Sequence, residues 1–412
     1  MWRRTLALIL SLSFGPAVAG GLNFEAALRQ AEAFAPELKA AEARRAGAAE
    51  AVEAADALPD PRAFVGVENL PIEGPDRFSL QRDVMTMRTA GLMQEFPNAG
   101  KRRARAAMAE AEVESEAATL QLARSTVRRE VAAAWLSRYY LERQRAVLAS
   151  LQGESRTLQE AAEAQVRAAR KRPADVLMAR QEALALADRQ DGVERDLALA
   201  DAALRRWTGQ AEPQALAGEP PQFADRPDTW RAHLQHHPAL LRFRPAADRA
   251  RAELREAEAA GRPDWGVELA WQNRGDAFGD MMSLQVSADL PLFPRTRQTP
   301  QIRAKRHRLS ALEAEQEALR REHQAALEGD IATLAALHRQ RERLENDVIP
   351  LARESVALEL AAYRSGAGEL ASVLNARREL LEQQLKQLEL QARHHALLAS
   401  VHYLFDAQET RP

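Results

Sequence analysis

The 412-residue chain contains no cysteine. That excludes disulfides, thiol nucleophiles, cysteine-ligated zinc and a lipid-modified amino-terminal cysteine. Glycine (19) and proline (20) are sparse for the length, so breaks between elements should be few and legible. Aromatic residues make up only 5%, too few for one thick core. Net charge is −2, from 57 Lys and Arg against 59 Asp and Glu, which leaves no electrostatic footprint for nucleic acid. No stretch beyond residue 19 approaches the ~20 apolar residues of a spanning helix. What remains is 46% hydrophobic, rich in alanine, and 28% charged. That balance argues against disorder and for long helices that pack closely.

Residues 1–19 read as a secretory signal. Arg3 and Arg4 supply the positive start, Leu6 to Phe14 a short apolar stretch, and Ala17-Val18-Ala19 the small-x-small cleavage pattern. The remainder is written twice. Pro36 and Pro238 stand 202 residues apart, as do Pro61 and Pro263. Phe96-Pro97 and Phe293-Pro294 are offset by 197. So are Val176-Leu177-Met178-Ala179-Arg180-Gln181-Glu182 and Val373-Leu374-Asn375-Ala376-Arg377-Arg378-Glu379, identical at five of seven positions. The chain thus divides into a signal peptide (1–19), a first repeat (20–209), a connector (210–227), a second repeat (228–407) and a tail (408–412).

Each repeat has the same order of elements. A helix over Leu22 to Leu58 stops at Pro59-Asp60-Pro61, and its counterpart over 228–260 stops at Gly261-Arg262-Pro263. Strand pairs follow. Trp265, Val267, Leu269 and Trp271 alternate with Gly266, Glu268, Ala270 and Gln272. Leu284, Val286, Ala288, Leu290 and Leu292 alternate with Ser283, Gln285, Ser287 and Asp289. This is period-2 patterning. The first repeat has a noisier pair near Ala63–Ile72 and Val84–Phe96. A very long helix comes next, over 98–166 and 301–364, interrupted in the second repeat by Gly329 and Pro350. At 1.5 Å per residue, ~65 residues span about 100 Å. After Arg170-Lys171-Arg172-Pro173 and Ser365-Gly366-Ala367-Gly368, shorter helices return over 174–207 and 369–405. Leu337, Leu344, Leu351 and Leu358 recur every seven residues, with Leu334 and Val348 interleaved. Leu374, Leu381 and Leu388 do the same on the return helix, a coiled-coil period.

Four short strands cannot close a membrane barrel alone, because the smallest have eight. Three chains would supply twelve strands and leave no edge, as lipid requires. The expected fold is therefore mainly α with a small β part. Duplicated helical hairpins would form a periplasmic α-barrel, and four strands per chain would enter a trimeric 12-stranded outer-membrane β-barrel.

Together with the duplication, two segments carry a resemblance. They are Gln94-Glu95-Phe96-Pro97-Asn98-Ala99-Gly100-Lys101-Arg102 after a strand, and Tyr363-Arg364-Ser365-Gly366 leading to Val373-Leu374-Asn375-Ala376-Arg377. With them the chain resembles the TolC-like outer-membrane efflux factor family over almost its whole mature length. The Phe-Pro-x-x-Gly-Lys-Arg form resembles the heavy-metal, CusC- and CzcC-like branch. The resemblance implies a homotrimeric exit duct that meets a periplasmic adaptor and an inner-membrane pump of the resistance-nodulation-division type. It would export small solutes, heavy-metal cations among them. The same duct in type I polypeptide secretion is the alternative. A periplasmic adaptor is a third class, disfavoured because adaptors carry one hairpin. The resemblance also implies a pore constriction near Val-Leu-x-Ala at the periplasmic tip, with Asp175, Glu369, Ser372 and Asn375 as gate candidates. The two tip turns read as the adaptor-docking surface, at Arg170, Lys171, Arg172, Arg364, Ser365 and Gly366.

Asp175 reads equally as a ring of three carboxylates under threefold symmetry or as a charge at a helix start. Ser372 and Asn375 stand where members of the family often carry carboxylates. Trp265 and Trp271 lie about 20 Å apart along one strand face, close to the height of a lipid-facing band flanked by aromatics. All nine histidines fall in the second repeat. Adjacent pairs, His236-His237 and His394-His395, point to different faces and are a poor metal pattern. No nucleophile elbow, phosphate loop, HExxH segment or cofactor motif is present, so the chain reads as no enzyme.

Overall fold

The computed structural model describes residues 21–168, 172–276 and 278–405. The signal segment, Arg170, Lys171 and the tail lie outside the described residues.

Proline sets the helix boundaries more often than the apolar pattern implies. The leading helix is two, α1 (Phe24–Phe34) and α2 (Pro36–Ala55). Pro36 disfavours helical geometry in the residue before it, and Ala35 sits at φ −49°, ψ 115°. The counterpart in the second repeat is broken further, into α5 (Pro227–Ala232), a 3₁₀ turn (Leu234–His236), α6 (Pro238–Leu241) and α7 (Phe243–Ala259). Again the residue before proline, His237, is non-helical at φ −55°, ψ 129°.

Four strands, β1 (Arg62–Glu68), β2 (Met87–Phe96), β3 (Trp265–Asn273) and β4 (Met281–Ala288), form one antiparallel sheet in chain order. The β2–β3 pairing joins the two repeats, with Leu92 opposite Leu269 and Phe96 opposite Trp265. β4 stops at Ala288, so Leu290 and Leu292 continue the alternation without strand pairing. The long helices are α3 (Ala99–Arg167) and α8 (Gln298–Arg343), the latter extended through a π turn (Leu344–Val348) into α9 (Ile349–Ser365). The return helices are α4 (Pro173–Thr208) and α10 (Leu370–Phe405).

The π turn corrects the heptad reading. Gly329 does not interrupt α8, whereas Pro350 does affect the helix. Proline has no N–H and its ring crowds the preceding turn. The chain inserts one residue just before it, and the Ile349 N–H reaches the Leu344 carbonyl. The apolar seam then shifts by one. Leu334, Leu337 and Leu344 are buried as expected, but burial continues at Ile349, Ala352 and Tyr363. Val348, Leu351 and Leu358 are turned outward, the two leucines each 65% exposed. Leu344 and Ile349 pack with Leu337 against Leu390 of α10.

The described chain divides into two compact units, each drawing on both repeats. One comprises Val127–Asp225 and Ala332–His402 with the residues up to Ala35. Its core holds Trp135, fully buried, whose indole N–H donates to the Leu22 carbonyl at 3.0 Å. The Phe24 ring meets Trp135 edge-on, with centroids 5.4 Å apart. The other unit comprises Pro36–Thr126 and Arg226–Ile331 with the residues from Tyr403. It contains the whole sheet and the junctions between strands and helices.

One junction explains the Phe-Pro-Asn-Ala-Gly-Lys segment. The Asn98 backbone N–H and side-chain amide donate to Asp264 Oδ1 at 2.8 and 2.9 Å, and that amide also donates to the Ala259 carbonyl at 3.1 Å. Lys101 pairs with Asp264. Gly100 leaves room for Ala259, since a Cβ there would come within 2.9 Å of the Ala259 Cβ. The motif thus clamps the start of α3 to the end of α7 and the start of β3. Asp264→Ala is expected to destabilise this unit by about 1–3 kcal/mol, the cost of leaving part-buried donors unpaired. Urea unfolding checks it, and a change within measurement error would remove the clamp's role.

Candidate functional site

The sheet has two chemically different faces. Strand partners share a face, so the register sorts the side chains. One face carries the rows Ala63–Leu92–Leu269–Leu284, Val65–Ala90–Trp271–Met282 and Gln94–Val267–Val286, with Phe96–Trp265–Ala288 at one end. These side chains are largely uncovered: Val65 is 85% exposed, Met282 74% and Leu284 69%. Both tryptophans lie on this face, Trp265 at the helix end and Trp271 toward the loops. The Trp271 indole N–H donates to Asp280 Oδ2 at 3.2 Å, an apolar ring with a polar tether. Beyond Trp271 the face ends in a polar pair, Arg88 donating to Asn273.

The opposite face carries Arg62, Glu68, Thr89, Gln272, Glu268, Gln285, Ser283, Glu95 and Ser287, together with small residues and the larger Phe64, Met87, Met93 and Met281. The hydroxyl of Thr89 donates to Glu68 at 3.1 Å, and Arg62 lies 3.6 Å from Glu95. Phe64 leans across Gly91, where a Cβ would meet its ring at 2.5 Å. The noisier alternation of the first repeat hid the charged residues of this face, Arg62, Glu68 and Glu95. The signal for it was the polar half of β3 and β4, which β1 and β2 copy through the register. Among the described residues, the two outer edges of the sheet, one on β1 and one on β4, have no strand partner.

The second candidate region lies in the unit that holds the hairpin turns. α4 starts at Pro173 and α9 ends at Ser365, and the two turns meet through Arg172 and Glu369, 3.3 Å apart and both exposed. Gly366 closes α9 at φ +82°, a left-handed position that glycine takes without penalty. Gly368 donates its N–H to the Ala362 carbonyl at 2.9 Å. Arg364, Ser365 and Gly366 are exposed. The tyrosine of the motif has a packing role: Tyr363 is buried with Ala162, Leu370, Val373 and Leu374, and its hydroxyl donates to Gln165 at 3.1 Å.

The four gate candidates separate here. Asp175 is 4% exposed, in the first turn of α4. Burial pushes the Tyr363 phenol up, and the Asp175 carboxylate adds to that rise. Ser372 is half-buried, whereas Glu369 and Asn375 are exposed. Further along, α4 and α10 are tied by Arg378 to Glu182 at 2.5 Å and Arg189 to Glu382 at 2.9 Å.

Among the described residues no group of three or more His, Asp or Glu is placed to hold a metal. His395 Nδ1 lies 2.6 Å from the Tyr140 hydroxyl. Burial lowers both His395 and His394, the latter to about 4, with the Arg341 charge adding to each. Both are neutral near pH 7 and act as packed polar groups.

This arrangement is the fold of outer-membrane channel proteins. The structure of the outer membrane protein VceC from Vibrio cholerae matches with a TM-score of 0.76 at 20% identity, over 92% of this chain and 95% of that one. CusC, described for conformational changes accompanying folding and transmembrane channel formation, matches at 0.78 and 17% identity, over 93% and 91%. The open state of the Neisseria gonorrhoeae MtrE outer membrane channel matches at 0.74 and 17% identity, over 94% and 89%. Residues 231–401 match the family model described as outer membrane efflux protein. No curated protein sequence matches the chain. The resemblance to the TolC-like efflux family is borne out. The family match falls within the second repeat, and the chain as a whole shares its fold with these outer-membrane channels.

Proposed function

We propose that three copies of this chain assemble into one outer-membrane exit duct for small solutes, heavy-metal cations among them. The observation that carries this is the open four-stranded sheet. It has an apolar face with tryptophan at both ends, a polar face opposite, and two unpartnered edges. In lipid each unpaired edge group costs several kcal/mol, so the edges must pair. Joining β1 of one copy to β4 of the next turns the apolar faces toward lipid and the polar faces toward a lumen. The hairpin turns around Arg172, Arg364, Ser365 and Gly366 are the surface for a periplasmic adaptor. Through it the duct meets an inner-membrane pump of the resistance-nodulation-division type. In this role the chain conducts and does not catalyse.

The test is the mass of folded protein extracted from membranes in mild detergent, followed by conductance in planar bilayers. A trimer that forms pores is expected. A folded monomer, or a trimer without conductance, would overturn the reading.

A further inference from the structure

The helix end of the sheet borders an open cleft that the channel reading does not use. It has a volume of about 440 Å³ and lies between the start of α3 and the end of α7. Three guanidinium groups line it, those of Arg103, Arg255 and Arg262, together with Gly100, Ala259 and one carboxylate, Glu258. Glu258 is already engaged by Arg306 at 3.4 Å. Arg103 spends one N–H on the Ala99 carbonyl at 3.2 Å. Among the described residues Arg255 and Arg262 have no acidic partner. Lys101 nearby is neutralised by Asp264. The cleft is therefore a concave recess in which three guanidinium groups face one carboxylate, itself paired with Arg306. Its floor is fixed by the clamp of Asn98 on Asp264 and Ala259.

Its place matters as much as its charge. Arg262 lies three residues and Asp264 one residue before Trp265, and only Asn98 separates Phe96-Pro97 from the start of α3. Trp265 and Phe96 pair at this end of the apolar face. Aromatic rows of this kind sit at headgroup level. The recess then lies just beyond that level, where the phosphates of the leaflet on the helical side would be.

We infer that the cleft lined by Arg103, Arg255 and Arg262 is a binding site for the phosphate of an anionic glycerophospholipid in that leaflet. Guanidinium groups match phosphate oxygens in forked geometry. Each arginine near an anionic lipid surface strengthens association about fivefold. The site anchors the rim of the barrel at the point where the chain passes from strand to helix. This assignment rests on the outer-membrane reading above.

The experiment uses the full-length protein in nanodiscs of phosphatidylcholine containing a minor fraction of phosphatidylglycerol. The lipid retained through repeated detergent exchange is then identified by mass spectrometry. Phosphatidylglycerol should be enriched about fivefold or more over its share in the disc. The triple variant Arg103→Gln, Arg255→Gln, Arg262→Gln should lose that enrichment while still forming trimers. Inorganic phosphate at millimolar concentration should not displace the lipid. Retention unchanged in the triple variant, or complete displacement by inorganic phosphate, overturns the site while leaving the channel reading intact. Failure of the unmodified chain to insert into nanodiscs sinks both. A triple variant that does not fold is replaced by Arg255→Gln alone, which removes an exposed, unpaired group and should still lower enrichment severalfold.

Discussion

Leu284→Arg is expected to abolish stable insertion, while Ser283→Arg, one residue earlier, is tolerated. The two positions are neighbours on β4 and face opposite ways. Leu284 closes the central apolar row Ala63–Leu92–Leu269–Leu284, whereas Ser283 pairs with Ala270 on the polar face. In a trimeric barrel the central row sits near the bilayer midplane. An arginine facing lipid there costs about 2–4 kcal/mol, and a homotrimer incurs that cost three times. Folded domains are stable by only about 5–15 kcal/mol, so most of the margin disappears. On the polar face the same side chain reaches water and stays solvated. The measurement is the yield of detergent-resistant trimer from membranes, with urea unfolding in vesicles for what survives. Equal loss from both substitutions would point to a general dislike of arginine in β4. Equal tolerance would mean that the apolar face does not meet lipid.

This pairing of outcomes was partly legible in the sequence. β3 and β4 alternate so regularly that both faces could be assigned from spacing alone. β1 and β2 could not, because Gly66 and Gly91 blur the polar half, while Arg88 and Gln94 interrupt the apolar one. Only the register with β3 resolves their faces. The long helices were legible because they contain almost no proline or glycine. Their seam was legible only as far as Leu344. Beyond it, one proline forced an extra residue into the helix, and Leu351 and Leu358 rotated out of the seam although their spacing is regular. A heptad is a statement about an uninterrupted helix, and Pro350 removes that premise. The leading helices show the same limit, since Pro36 and Pro238 break what the apolar pattern runs through. At the turns, the motif Tyr363-Arg364-Ser365-Gly366 was legible as a marker, but its tyrosine is core. Gly366 and Gly368 serve the turn geometry. Nothing in spacing distinguishes a residue that lines a pore from one that packs beneath it.

Asn375→Asp is expected to make the channel far more sensitive to multivalent cations, whereas Asp175→Asn leaves its selectivity nearly unchanged. The difference follows from burial. Asp175 is the one carboxylate that the sequence places beside the Val-Leu segment in the first repeat, yet it is 4% exposed and sits beside Tyr363 in the first turn of α4. A carboxylate held inside a chain has little direct hold on ions passing outside it. Asparagine at that position keeps the capacity to accept hydrogen bonds at a helix start. Asn375 is exposed on α10, one residue beyond the buried Val373-Leu374 pair. Under threefold symmetry an aspartate there adds three carboxylates at one level. At about 4 Å in water each unit charge pair is worth about 1 kcal/mol, so a trivalent cation should block at least about tenfold more tightly. The added block should fade with salt, since the Debye length falls from about 10 Å at 0.1 M to about 3 Å at 1 M. Single-channel recording with a trivalent cation at both ionic strengths reads all of this. Block unchanged by Asn375→Asp would place the constriction elsewhere. Cation selectivity lost in Asp175→Asn at low salt would show that the carboxylate turns into the lumen when the three chains assemble.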